Sequence, residues 1–266
     1  MRHAIFLPPH GSLADPSLVV EIAVAAEQAG WDGIFLWDHM WRPSGKPQEV
    51  ADAWICLSAI AVATTRIRLG PMVTPLARRR PQKVARETVT LDRLSAGRLT
   101  FGVGLGVDTG GELGRFDEET DDVARGDMLD EALSLLLALW SGQPVRHDGT
   151  HFTAEDVSFI PVAVQTPRIP VWAAARGGAS ARPLRRAATL DGLFPVHATV
   201  EQVVTMLEAV THIRGTLDGY DVAVTTTGGE DPKALGSAGV TWMVRSIAEG
   251  APASAVLTVA SAGPPM

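Results

Sequence analysis

The sequence predicts an α/β fold, a (β/α)8 TIM barrel formed by residues 1–266 as a single domain, and three observations predict it. Eight short segments with apolar β-formers start at His3, Gly33, Arg66, Arg98, Ile169, Leu193, Asp221 and Val240, each followed by helical or potentially helical sequence. The 266 residues are 46% hydrophobic, enough for one large core, and barrels of about 250 residues are common as single domains. A helix, glycine, strand order also recurs. In its clearest instance, residues 84–95 carry apolar side chains at helical spacing and Gly97 follows where a left-handed C-cap wants glycine. Residues 98–106 then read as a buried parallel strand ending in alternating glycines.

The elements follow in order. Residues 3–9 are the first strand, and Asp15 as N-cap with Pro16 behind it opens a helix over 18–29 that Gly30 closes. Strand 33–39 stays apolar until Trp37-Asp38-His39. A polar loop at 43–47 leads to a nearly all-apolar helix over 51–64, with Asp52 and Trp54 in its first turn. After strand 66–73, Thr74-Pro75 begins a basic loop through Arg78-Arg79-Arg80. The 108–122 connection is rich in glycine and acid and has no periodicity, so it is either a functional loop or a floppy one. Helix 125–140 presents Leu129, Leu133, Leu136, Leu137 and Trp140 on one face. Asp148-Gly149 signals a small β-hairpin excursion around 145–152. Strand 169–175 runs into Arg176-Gly177-Gly178 and a helix near 180–189, followed by strand 193–196. Thr199 and Gln202 form a capping box for a helix through Val210. Strand 221–227, a Pro-initiated helix from Asp231 and strand 240–244 complete the pattern, and the tail ends in Pro264-Pro265.

Composition narrows the function. A net charge of −7 argues against a sequence-independent nucleic-acid binder, because phosphate contacts need a basic face. One cysteine, Cys56, leaves no internal disulfide and fits a reducing cytoplasm. The apolar run Ala4-Ile5-Phe6-Leu7 is stopped by Pro8-Pro9, too soon for a secretory signal or a membrane span.

On a parallel barrel the strand carboxyl ends face the site, so Asp38, His39, Met72, Val73, Thr74, Gly104, Gly106, Ala175, Arg176, Gly177 and Gly178 are expected around one mouth. Two readings fit Asp38-His39: a proton-transfer pair, or a capping Asp beside a surface His. The alternating glycines either let a planar cofactor lie on bare backbone or pack tightly under a bulky neighbour. A dinucleotide fingerprint is excluded, since its third glycine falls on Val107 or Thr109, and Gly45-Lys46 precedes Pro47, so there is no Walker motif. Arg176-Gly177-Gly178 before a helix is either a phosphate cradle or a plain loop. Arg78-Arg79-Arg80 is a solvated turn or meets an anionic group. His147 and His151 flank a turn rather than share a helix face, and no cluster has ligand spacing, so no metal is expected.

Several longer stretches carry a resemblance. They are Ala26-Glu27-Gln28-Ala29-Gly30-Trp31-Asp32-Gly33 leading to Leu36-Trp37-Asp38-His39, residues 65–75, residues 85–99 running into the glycine strand, Gly110-Gly111-Glu112 to Phe116, residues 125–131, and Ile169-Pro170-Val171-Trp172. The chain resembles the bacterial luciferase-like family of flavin- and deazaflavin-dependent oxidoreductases. That resemblance implies a barrel binding FMN or coenzyme F420, a homodimer, and hydride or oxygen-insertion chemistry on a small organic substrate, with a flavin reductase as partner if FMN is used. It implies that the ring lies over Met72, Val73 and Thr74, where the family often has a non-proline cis peptide. His39 with Asp38 would sit near the reacting face and Arg176 to Gly178 near the cofactor phosphate. The basic loop at 78–80 leans toward the deazaflavin, whose tail is polyanionic. Two rivals remain: a non-redox barrel enzyme and a non-catalytic flavin-binding protein.

Overall fold

The computed structural model describes residues 1–41, 47–108, 110–178 and 180–265. The expected polar loop at 43–47, with Gly45 and Lys46, falls outside the described residues except for Pro47. The strands are β1 (Arg2–Leu7), β2 (Gly33–Leu36), β3 (Arg68–Pro71), β4 (Thr74–Pro75), β5 (Phe101–Gly104), β6 (Val145–Asp148), β7 (Thr153–Val157), β8 (Val171–Arg176), β9 (Gly192–Val196), β10 (Asp221–Thr226) and β11 (Trp242–Ser246). The helices are α1 (Pro16–Gln28), α2 (Ala53–Ala63), α3 (Pro81–Leu94), α4 (Asp122–Trp140), α5 (Ala181–Ala188), α6 (Val200–Arg214), α7 (Pro232–Ser237) and α8 (Ala253–Ala262).

Nine strands form one parallel sheet in the order β3-β2-β1-β11-β10-β9-β8-β5-β4. Its two ends are consecutive in sequence, and a parallel bridge between Leu69 and Leu99 joins β3 to the approach of β5. The sheet is therefore a barrel in which β3, paired to β2, and β4, paired to β5, share one position. The expected single strand at 66–73 is broken at Met72–Val73, whose peptide bond is cis. Counting that pair once returns the eight predicted units. The antiparallel pair β6 and β7 is the expected excursion.

The helix starts follow from their caps. Asp15 accepts from the Ser17 amide with Pro16 in the first turn, and Asp121 accepts from Val123 and Ala124. Thr199 and Gln202 close both bonds of a capping box, and Asp231 accepts from Lys233. Asp52 lies just before α2 rather than inside its first turn, and its side chain accepts from the Ile55 amide. Gly97 adopts φ +84° beyond α3, as a C-cap requires.

Two layers of apolar side chains result. Ala4, Phe6, Phe35, Met72, Trp172, Phe194, Ala223, Trp242 and Val244 fill the barrel interior, with the Trp172 and Trp242 rings 5.5 Å apart. A larger cluster lies between strands and helices, including Leu36, Leu69, Leu136 and Val222. Burial of both strand faces explains why the strands read as near-continuous apolar runs. Helix α8 falls in the potentially helical sequence expected after the last strand, for which the sequence marks no bounds. Its residues are Ala, Ser, Thr, Val and Leu without charge, and Pro252 caps it without a side-chain bond, so no local start signal marks it. Tertiary contacts fix it: the Trp31 indole donates to the Ala260 carbonyl at 3.0 Å. Among the described residues, no helix is long and apolar enough to cross a membrane.

Candidate active site

At the strand carboxyl ends the interior cluster gives way to partly buried Trp37, Val73, Ala174 and Val196. Trp37 packs on Phe6 with ring centres 5.5 Å apart and on His39 at 5.9 Å. The mouth is thus an apolar bed with one imidazole at its edge.

Behind His39 lies a network of charges. His39 Nδ1 is 2.6 Å from Oε2 of Glu112, whose Oε1 accepts from the Met40 amide at 2.6 Å and from Arg78 Nη1 at 2.9 Å. Glu112 belongs to the 108–122 connection. Burial alone would raise its pKa, but the bond to His39, the charge that ring carries at low pH, the Met40 amide and Arg78 together hold it down at about 2. Glu112 is therefore ionised and accepts only, so the proton between the pair sits on Nδ1 and Nε2 is left for other partners. The connection is held in place by its own contacts: Glu112 and Leu113 are buried, and the Asp108 carboxylate accepts from the Leu113 amide at 2.6 Å.

Asp38 is braced by side chains from three other segments. Its carboxylate accepts from Thr74 Oγ1 at 2.7 Å, Trp54 Nε1 at 3.0 Å and Arg79 Nη1 at 3.3 Å, with Arg78 Nη2 at 3.5 Å. Just beyond the end of β2, Asp38 is thus tied to Thr74 of β4 and Trp54 of α2, while the ring of His39 lies beside that of Trp37. The basic loop is corrected. Arg78 also donates to the Asp38 carbonyl, and Arg79 pairs with Glu87 at 2.7 Å, so two of the three arginines are spent inside the protein and only Arg80 is exposed.

The glycines follow the tight-packing reading. A Cβ on Gly104 would lie 2.5 Å from Val73 Cγ2, and one on Gly106 would lie 2.7 Å from Pro75 Cβ. Gly104 and Gly106 thus clear room for Val73 and Pro75, on either side of Thr74. Met72 is buried in the interior, and Thr74 is held by Asp38.

On the other side of the mouth, Ala175 is buried and Arg176 is exposed, with no hydrogen bond or ion pair among the described residues. Gly177 packs against α6, where a Cβ would lie 2.5 Å from Gln202 Oε1. Gly178 has φ +74° and open space around its missing Cβ. Ser180 caps α5 without a side-chain bond, which leaves first-turn amides available. Among the described residues, no group of three or more His, Cys, Asp or Glu is arranged to hold a metal. His147 instead bonds Glu131 at 3.2 Å, which also accepts from the His151 and Phe152 amides and pins the hairpin to α4.

Glu112 is the candidate site residue that reading the sequence did not single out. Loop length and glycine density marked its connection, yet nothing local separates it from the neighbouring acids at 108, 117–119 and 121–122.

Fold and site together define a (β/α)8-barrel protein with its site at the strand carboxyl ends. The sequence pattern of the luciferase-like monooxygenase family matches residues 1–227, and the chain belongs to that family. It is 37% identical over 172 residues to an F420-dependent glucose-6-phosphate dehydrogenase of Beutenbergia cavernae, covering 63% of this chain and 49% of that protein. The Mycobacterium avium enzyme of the same name is 36% identical over 180 residues, covering 65% and 51%. The chain thus spans about half the length of the curated relatives it matches. Among solved structures, it resembles an F420-dependent tetrahydromethanopterin reductase from Methanopyrus kandleri (TM-score 0.76, 18% identity, 98% of each chain). It also resembles an F420-dependent secondary alcohol dehydrogenase (TM-score 0.73, 23% identity, 84% and 68%). At these identities the structures show the fold.

Proposed function

We propose that the protein is a deazaflavin-dependent oxidoreductase that transfers hydride to or from a small organic substrate. The observation that carries this reading is the imidazole of His39, backed by ionised Glu112, at the edge of an apolar barrel mouth. The residues fit such a cofactor: Trp37, Val73 and Ala174 offer a bed for a ring, while Arg176, Gly178 and the uncapped start of α5 offer a corner for a phosphate. Eight relatives, 31 to 37% identical, are named F420-dependent, which favours coenzyme F420 over FMN. Bound there, F420 supplies hydride transfer, whereas FMN would also open oxygen insertion and call for a flavin reductase. His39 moves a proton at Nε2, Glu112 orients its ring, and the apolar bed keeps water from the reacting face.

The same reading makes the chain a homodimer of the reducing cytoplasm. Exposed Ile55 and Val62, two turns apart on α2, and a lone buried cysteine support it.

A titration of the purified protein with F420 and with FMN, followed by absorbance and fluorescence, tests the reading. F420 is expected to bind tightly, and His39→Ala to keep that affinity while losing about 10²- to 10⁴-fold in turnover. Binding of FMN alone, with oxygen consumption, would replace the dehydrogenase reading by a monooxygenase. Failure of either cofactor to bind at micromolar concentration ends the redox reading.

A further inference from the structure

Arg78 occupies the centre of the charge network without touching the mouth. Its side chain is 5% exposed, and it spans two connections that are distant in sequence. Nη1 donates to Glu112 Oε1 at 2.9 Å, and Nη2 donates to the Asp38 carbonyl at 3.0 Å. Glu112's other oxygen holds His39 Nδ1 at 2.6 Å. One carboxylate is thus shared between a guanidinium and an imidazole.

The sharing has a chemical consequence. A buried carboxylate this close to an imidazole, acting alone, favours the imidazolium, which has no lone pair at Nε2. A guanidinium on the same carboxylate draws on the same negative charge and repels a second cation. Resting on the oxidoreductase reading above, we propose that Arg78 is a positioning residue: it seats Glu112 against His39 while offsetting its charge, so that His39 stays neutral and keeps Nε2 free to take a proton. Among the described residues, the neighbouring charges have other partners or positions. Arg79 faces Asp38 and is balanced by Glu87, and Glu118, Glu119 and Arg125 line the small space on the other side of Arg78.

The test uses the full chain labelled with 15N-histidine, without cofactor. In the parent protein at neutral pH, Nε2 of His39 is expected to resonate as an unprotonated nitrogen. Arg78→Gln keeps a donor toward Glu112 and removes the charge, so Nε2 is expected to carry a proton at the same pH. The acid limb of kcat/KM should then move up by about one pH unit. Arg78→Lys, which restores the charge, should return both readouts toward the parent. If Arg78→Gln lowers the melting temperature but leaves the Nε2 signal and the pH profile unmoved, Arg78 is merely structural and the proposal falls. Doubly protonated His39 in the parent at neutral pH also overturns it, with no variant required. The spectra need no cofactor. A shifted Nε2 signal in a protein that binds neither F420 nor FMN retains the role of Arg78 and removes the redox reading; turnover with unmoved spectra does the reverse.

Discussion

Glu112 carries a pH dependence whose sign follows from its environment. Its carboxyl is held at about 2 in the folded protein against an ordinary value of 4.5. A depressed carboxyl stabilises the fold above the unfolded value, and that contribution is lost as pH falls from 4.5 toward 2. Melting temperatures of the parent and Glu112→Gln should therefore differ at pH 7 and converge as pH approaches 2; a constant gap would show that the charge of Glu112 does not contribute. The neighbouring pair teaches a different lesson at this scale. Trp37, Asp38 and His39 are consecutive, just beyond the carboxyl end of β2. His39 was legible as a candidate site residue from that strand-end position. The partners that fix Asp38 in place, Thr74, Trp54 and Arg79, come from other elements and were not.

At the scale of elements, much of the family-like sequence turns out to fasten turns. Glu27 accepts from the Thr65, Arg66 and Ile67 amides, and Asp92 from the Val164 and Gln165 amides. Buried Arg98 donates to the Ser95, Ile67, Ala61 and Thr64 carbonyls and to Thr64 Oγ1. It thereby closes the end of α2 against the start of β3 and the turn before β5. Arg98→Met leaves those buried carbonyls without a donor and is expected to cost about 3 kcal/mol or more in chemical denaturation, with the site chemistry unaltered in the folded fraction. A loss under 1 kcal/mol, roughly that of an ordinary surface change, would refute the assignment. Elements with local signals were read correctly: capped helices and the Asp148-Gly149 hairpin. Helix α8 was expected only as potentially helical sequence without bounds, because it is fixed by packing on α1 and by the Trp31 indole and not by a cap or a charge pattern.

At the scale of the whole molecule, α2 shows Ile55 at 67% and Val62 at 71% exposure, on a helix whose other face is buried in the barrel wall. An Ile55→Glu, Val62→Glu double variant should sediment as a monomer while the parent sediments as a dimer, because the charges would oppose burial of that face. A monomeric parent, or a variant that still dimerises, would remove this face as the interface. The barrel itself was determined by the sequence alone. Eight apolar segments, each followed by helical or potentially helical sequence, leave few ways to bury both faces of a parallel sheet, and the parallel arrangement places the strand carboxyl ends, and so His39, at one mouth. Only the tertiary structure decided what stands around that histidine. Glu112 lies 73 residues from His39 and Arg78 lies 34 from Glu112, in connections without periodicity, so no spacing rule links them. Closure of the barrel brings the three loops together, and burial then turns isolated charges into a pair that must be balanced.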